Sequence, residues 1–146
     1  PDDEPAIVAC VNAAYERFIA AIGAKPAPML DDYAQFIALE RVWVAEIDAT
    51  LAGLIVMWAE DDHWYVDNIA VDPQRQGQGI GCLLLDAAER SARVARRSEI
   101  RLYTNAAMTS NMEFYPKRGF VETHRAVQAG YRRVFYSRGV ASLRGF

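Results

Sequence analysis

The segment Val71-Asp72-Pro73-Gln74-Arg75-Gln76-Gly77-Gln78-Gly79-Ile80-Gly81 constrains this chain more than any other. A strand-like run ends at Val71, Pro73 breaks it, and three alternating glycines lead straight into an amphipathic helix. Ile80, Leu83, Leu84, Ala87, Ala88, Ser91, Val94 and Ala95 give that helix one apolar or small face. Glu89, Arg90, Arg93, Arg96 and Arg97 fill the other faces, with the arginines toward the C-terminal end, where they suit the helix dipole. Glycines at a helix start let the backbone approach a ligand, and the N–H groups there bind phosphate oxygens. The competing reading is a tight turn that needs glycine for a positive φ. Two other phosphate loops fail on spacing. A P-loop ends in Gly-Lys-Ser/Thr, whereas Gly81 is followed by Cys82-Leu83. A dinucleotide fingerprint needs glycine where Cys82 stands, and it follows the first strand of a parallel unit.

Upstream, Ile7, Val8, Val11, Ala14, Tyr15, Phe18 and Ile22 recur at three- and four-residue steps and predict a helix that Gly23 stops. Lys25 to Met29 reads as a stiff loop, and Asp31 or Asp32 caps a short helix through Tyr33, Phe36 and Ile37. From Arg41 the pattern becomes two-residue or continuous. Val42–Ile47 and Leu51–Trp58 form an antiparallel hairpin about Asp48-Ala49-Thr50, and a third strand runs from about His63 to Val71. Gly130 to Tyr136 reads as a final strand closing the sheet. Helices first and hairpins after predict an α+β fold with a partly antiparallel sheet.

The 146 residues make one domain's worth of protein, expected to span 1–146. A hydrophobic share of 52% with 24% charged residues excludes a disordered chain. The longest uninterrupted apolar run, Leu51 to Ala59, is shorter than the roughly 18 residues of a membrane span, so no membrane partner is expected. Two distant cysteines, Cys10 and Cys82, and two histidines, His63 and His124, provide neither a disulfide framework nor zinc-ligand spacing. A metal-free protein of a reduced compartment, the cytoplasm, is the expectation. No signal peptide is visible, and the chain opens at Pro1 without a Met.

Charge is divided unevenly. Residues 1–62 carry twelve acids against three bases, and residues 63–146 carry seven acids against thirteen bases, giving −9 and +6. Such asymmetry speaks of partners rather than fold. The overall pI of about 5.4 argues against nucleic acid, and a small phosphorylated ligand suits the basic part better.

Gln76-Gly77-Gln78-Gly79-Ile80-Gly81 resembles the pyrophosphate signature Gln/Arg-x-x-Gly-x-Gly/Ala of the GNAT family of N-acetyltransferases at all three fixed positions. The Val-x-Pro of Val71 and Pro73 is typical of the end of that family's fourth strand. Asn111-Met112-Glu113-Phe114-Tyr115-Pro116-Lys117-Arg118-Gly119-Phe120 is similar to its Asn-x-x-Phe-Tyr-x-x-x-Gly-Phe block. Leu102-Tyr103-Thr104-Asn105, followed by Met108-Thr109, looks like the fifth strand and the loop after it. The likeness runs from Leu51 onward. The family usually begins with a strand where this chain begins with a helix.

The resemblance implies a mixed, mostly antiparallel sheet of six or seven strands flanked by helices, a mixed α/β sandwich that splays between the family's fourth and fifth strands. Acetyl-CoA, the acetyl-donor cosubstrate, would lie there without any metal. Its pyrophosphate would rest on the loop from Gln76 and Gly77 through Gln78, Gly79, Ile80 and Gly81 to Cys82, and its pantetheine arm would pair with the backbone of Ile69, Ala70 and Val71. Asn111 would hold that arm or an ordered water, its alternative role being helix entry in a capping box of Ser110 and Glu113. Pro116 departs from the commoner family residue and predicts a short or kinked helix under Tyr115, stopped at Gly119.

The implied chemistry is acyl transfer from a thioester to an amine, which calls for a base, an oxyanion donor and an acid for the thiolate. Tyr115 is the candidate acid, against the alternative of a core aromatic beside Phe114. Asp67, sharing a strand face with Tyr65 and, further back, His63, is the candidate base, against a solvated strand carboxylate. Cys82 reads as packing. Relatives shape the acceptor site with loops that correspond here to Pro28, Met29 and Tyr33. The acidic half favours a cationic acceptor: a polyamine, an amino sugar, or a protein N-terminus or lysine. Two other functions remain open at this point, a non-catalytic acyl-CoA-binding module and a toxin-type acetyltransferase that modifies RNA. A homodimer is common among relatives.

Overall fold

In the computed structural model, residues 3–140 are described; the first two and last six residues of the expected 1–146 domain lie outside them. The chain forms two compact units. One comprises Pro1–Met57 with Asn68–Ala87, the other Trp58–Asp67 with Ala88–Phe146.

The first unit opens with α1 (Glu4–Tyr15), a 3₁₀ turn at Glu16–Phe18, and α2 (Ile19–Ile22), ended by Gly23 in the left-handed region at φ 82°. The α1 stripe buries Ile7, Cys10, Val11, Ala14 and Tyr15. Glu4–Ile22, rather than Leu51–Ala59, is the stretch among the described residues long and apolar enough to cross a membrane by length and composition. Of its most apolar window 28% is buried, along the stripe of α1. The expected stiff loop is a 3₁₀ turn at Ala27–Leu30. α3 (Tyr33–Ala38) is capped by Asp32, whose carboxylate accepts from Gln35 N at 3.2 Å. β1 (Val42–Ile47) and β2 (Thr50–Ala59) then pair antiparallel, Val42 opposite Val56, about a turn whose Asp48 and Ala49 take φ 52° and 63°. Ala52 through Met57 are all buried, so β2 is covered on both faces.

β3 (Trp64–Val71) alternates strictly, with Trp64, Val66, Asn68 and Ala70 buried and the residues between them half-exposed. It leads through a 3₁₀ turn at Pro73–Arg75 into α4 (Ile80–Val94). β4 (Glu99–Asn105) follows, then α5 (Thr109–Phe114), a 3₁₀ turn at Pro116–Arg118, β5 (Val121–Gln128) and β6 (Tyr131–Gly139). The short α5 and the left-handed Gly119 at φ 86° are what Pro116 predicts.

The sheet has six strands in the order β1-β2-β3-β4-β6-β5. β3 and β4 are parallel, while β1–β2, β4–β6 and β5–β6 are antiparallel. The β3–β4 register covers Trp64–Val66 against Ile100–Leu102. In the second unit one sheet face is core, built on Val66, Ile100, Leu102, Val134 and Tyr136. Two expectations change here. β5 has no counterpart in the sequence reading, because Val-Glu-Thr-His-Arg-Ala-Val-Gln is exposed almost throughout and shows no apolar alternation. The run from Gly130 therefore does not close the sheet: β6 is inserted between β4 and β5, and β5 is the edge.

Candidate active site

The glycine loop belongs to the first unit. Asp72 N donates to Ala52 O at 2.8 Å, and the Asp72 carboxylate accepts from Gln74 N at 3.0 Å, which starts the 3₁₀ turn. Gln76 is extended, and Gly77 and Gly79 take φ 83° and 79°, a region costly for residues with a Cβ. A Cβ built on either would meet nothing within 4 Å, so the loop is an open cradle. Leu83 N donates to Gly79 O at 3.0 Å. The Ile80 and Gly81 N–H groups therefore lie in the first helical turn, which has no intrahelical acceptor, with Cys82 completing it. A fifteen-residue helix behind them sets partial positive charge at that end. This arrangement fits a pyrophosphate. Arg17, unmarked by any sequence motif, reaches the loop: its guanidinium donates to Gln76 Oε1 at 3.3 Å.

The adjoining end of β3 explains which backbone groups are available. The Asp72 bond to Ala52 turns even-numbered residues toward β2, and Ala70 O lies 2.9 Å from where a Cβ on Gly53 would stand. Of Ile69, Ala70 and Val71, the outer two thus direct their backbone away from β2. Ile69 O already accepts one hydrogen bond, from Tyr15 OH at 2.9 Å. Of the acceptor-loop residues, Tyr33 OH donates to Pro28 O at 2.6 Å and receives from Asn68 Nδ2 at 3.3 Å. Met29 N donates to Pro26 O at 3.0 Å inside its 3₁₀ turn. Asn68 Oδ1 is buried with no protein partner among the described residues, at a position that no sequence motif marks.

Asn111 and Tyr115 lie in the second unit. The Asn111 amide donates to Thr104 Oγ1 at 3.0 Å and contacts Met108 Sδ at 3.5 Å, which ties α5 to the end of β4. The expected capping box does not form. α5 begins at Thr109 with Met108 at its N-cap, so Ser110 is one residue inside the helix and cannot cap it. The Asn105 side chain shapes the entry instead by accepting from Ala107 N at 2.9 Å. Tyr115 is buried, its ring 5.2 Å from Phe114, 5.6 Å from Phe120 and 5.9 Å from Tyr136. Burial, then the neighbouring Tyr136, pushes its phenol above the ordinary tyrosine range, so it is held protonated as a donor.

Asp67 occupies the other face of the same sheet. Tyr65 OH donates to Asp67 Oδ1 at 3.4 Å, and burial followed by that carboxylate also raises the Tyr65 phenol. Tyr65 packs against Trp58 at 5.0 Å and Tyr103 at 6.4 Å, and Tyr103 against Phe135 at 5.5 Å. His63 is 6.4 Å from the Tyr65 ring and pairs with Asp62 at 2.7 Å. Because Phe135 and Tyr136 are consecutive in β6, their side chains point to opposite faces, so Tyr115 and Asp67 flank the sheet from opposite sides. Among the described residues no group of His, Cys, Asp and Glu side chains is arranged to hold a metal ion.

No curated protein sequence matches the chain significantly. Solved structures do. A GCN5-related N-acetyltransferase from Rhodopseudomonas palustris is similar at TM-score 0.78 and 22% identity, over 96% of this chain and 91% of that one. The PaiA N-acetyltransferase from Thermoplasma acidophilum, solved in complex with coenzyme A, reaches TM-score 0.77 at 18% identity over 94% and 93%. Nourseothricin acetyltransferase is similar at TM-score 0.65 and 22% identity over 68% of this chain, which spans 65% of its length. These likenesses carry the fold. The sequence itself matches the profile described as "Acetyltransferase (GNAT) domain" over residues 38–122, more than half of its length, and the chain belongs to the GNAT acetyltransferase family.

Proposed function

We propose that this protein transfers the acetyl group of acetyl-CoA directly to a primary amine. The observation that carries the proposal is the Gln76–Gly81 loop: two solvent-open glycines at positive φ ahead of a fifteen-residue helix. Such a helix start binds phosphate oxygens through backbone N–H groups and needs no metal to do so. The outward backbone of Ile69, whose carbonyl already accepts from Tyr15 OH, and of Val71 would carry the pantetheine arm, as a strand edge accepts an extra strand. Asn111 would hold the arm or a water near Thr104.

In the transfer the amine nitrogen bonds to the acetyl carbon while the carbon–sulfur bond breaks. The amine proton leaves to Asp67, directly or through water, and the departing thiolate takes a proton from Tyr115. Tyr115 is held protonated by burial and would be available as that donor across the neutral range.

The test is a panel of primary amines incubated with the protein and acetyl-CoA, with released thiol as the readout. Amine-dependent thiol release is expected. Coenzyme A binding without turnover on any amine would leave a binding module of the same fold, and absence of coenzyme A binding would remove the proposal.

A further inference from the structure

A closed run of contacts inside the first unit carries the end of α1 to the glycine loop. Tyr15 OH donates to Ile69 O at 2.9 Å and fixes that end against β3. The Tyr15 ring lies 6.4 Å from the Phe18 ring, and the Arg17 guanidinium lies over the Phe18 ring at 4.7 Å. Arg17 Nη1 then donates to Gln76 Oε1 at 3.3 Å, beside the first glycine of the cradle, Gly77. The guanidinium is thus held by its flat face, as a cation on an aromatic ring is, which leaves the N–H groups along its edge for a ligand. Its bond to Gln76 is a loose one. A neutral amide oxygen at 3.3 Å stands farther off than the roughly 2.7–2.9 Å of a guanidinium on an anionic oxygen. Among the described residues Arg17 forms no ion pair, whereas Arg93, Arg101, Arg125 and Arg138 each meet a carboxylate. The first unit carries eleven acids against four bases, a net −7. In so acidic a unit, an arginine without a carboxylate at the mouth of an anion cradle is placed for an anion that comes from outside the chain.

Resting on the cofactor reading above, we propose that Arg17 binds the diphosphate of coenzyme A, exchanging Gln76 Oε1 for phosphate oxygens. The planar fork of a guanidinium matches two phosphate oxygens at once, and the backbone N–H groups of the first turn of α4 take others. Because Gln76 directly precedes Gly77, the group that replaces its oxygen is the diphosphate rather than the 3′-phosphate. The two sets of donors do different work. Backbone N–H groups supply fixed partial charges, whereas Arg17 supplies a full charge that offsets the repulsion an anion meets on approaching a unit of −7. Phe18 and Tyr15 are positioning residues in this arrangement, since they hold the guanidinium at the loop before the ligand arrives.

The test is calorimetric titration of the whole protein with coenzyme A and with 3′-dephospho-coenzyme A. It is run at about 0.1 M and about 1 M sodium chloride, between which the screening length falls from about 10 Å to about 3 Å. Arg17→Gln should weaken both ligands about five- to tenfold at the lower salt and about twofold or less at the higher. Arg17→Lys, which keeps the charge without the fork, should recover part of the loss. Urea midpoints should match the parent, because the Arg17 side chain is exposed. A double-mutant cycle with Gln76→Leu separates phosphate binding from support of the loop. The Arg17→Gln loss should persist in the Gln76→Leu background; its disappearance there would mean that Arg17 only steadies Gln76 and would overturn the inference. So would a loss equal at both salts, or an Arg17→Gln protein that binds coenzyme A as tightly as the parent, and either result leaves the cofactor reading intact. A loss confined to coenzyme A, with the dephospho ligand untouched, would move Arg17 to the 3′-phosphate and overturn its assignment to the diphosphate. A parent that binds neither ligand would remove the cofactor reading and this inference with it.

Discussion

Adding one methyl group at Gly53 should damage cofactor binding from underneath. A Cβ at this position in β2 would stand 2.9 Å from Ala70 O, 3.0 Å from Ile80 Cγ2 and 3.4 Å from Leu84 Cδ1. The first contact is with backbone, so no side-chain rotation relieves it. The second is with the residue that opens α4, so the methyl of Gly53→Ala wedges the strand end and the helix start apart. Overpacking of this kind costs about 1–3 kcal/mol. Reduced freedom of the unfolded chain returns about 0.4–1 kcal/mol. A net loss near 1–2 kcal/mol is the expectation, measured as a lower urea midpoint with an unchanged slope. Displacing the first turn of α4 by a few tenths of an ångström also misaims its N–H groups. Coenzyme A affinity should therefore fall about three- to tenfold, or roughly 0.7–1.4 kcal/mol, when titrated calorimetrically on the same preparation. Gly53→Val should be worse on both counts. Wild-type midpoint together with wild-type affinity in Gly53→Ala would refute the claim that close packing under the loop holds it in place.

Four further outcomes are expected. Gly79→Asp places a carboxylate and a side chain at a positive-φ position beside the proposed anion site, so coenzyme A affinity should drop by more than about tenfold in a protein whose circular dichroism is unchanged. Tyr115→Phe should lower kcat by ~10²–10⁴ with coenzyme A affinity near wild type, and the parent should show no alkaline limb from this phenol below about pH 10, because burial raises it. The same shift makes the folded state hold its proton where the unfolded chain releases it, so stability falls as pH rises above about 10, less steeply in Tyr115→Phe than in the parent by urea unfolding. Burial pushes the Cys10 thiol to about 11, leaving on the order of one part in a thousand as thiolate at pH 8, so alkylation followed by mass spectrometry should modify the half-exposed Cys82 first, and coenzyme A should slow it.

The parts of this protein legible in its sequence are those whose physics is local. The hairpin shows in the alternation around Asp48-Ala49, α4 in its spacing, and the glycine loop in residues that need a backbone without Cβ. Pro116 signals the broken helix under Tyr115 because a missing N–H acts on its own neighbours. What escaped depends on partners far away in the chain. β5 carries no apolar stripe because it packs little on either face. Arg17 reaches Gln76 across 59 positions, and Asn68 meets Tyr33 across 35. The aromatic row is scattered over residues 58 to 135 and is assembled only by strand order. The misplaced cap at Ser110 has a related cause: the helix entry was set by Asn105 and Met108, before the motif that suggested it.

The insertion of β6 between β4 and β5 also bears on how the chain is made. Residues leave the ribosome in order, and domains generally begin to fold from the N-terminal side. β4 is synthesised well before its partner, and Glu99 through Asn105 pair with Gly139 through Arg133, among the last described residues to emerge. Until then the β4 edge and the whole of β5 lack the strand that joins them, an exposed edge of the kind that chaperones shield during synthesis. A frameshift or stop codon around position 130 would thus remove a central plank of the second unit rather than trim its margin. A tag placed after residue 140 spares the ladder, which extends as far as the bond from Val140 N to Ser98 O at 2.8 Å.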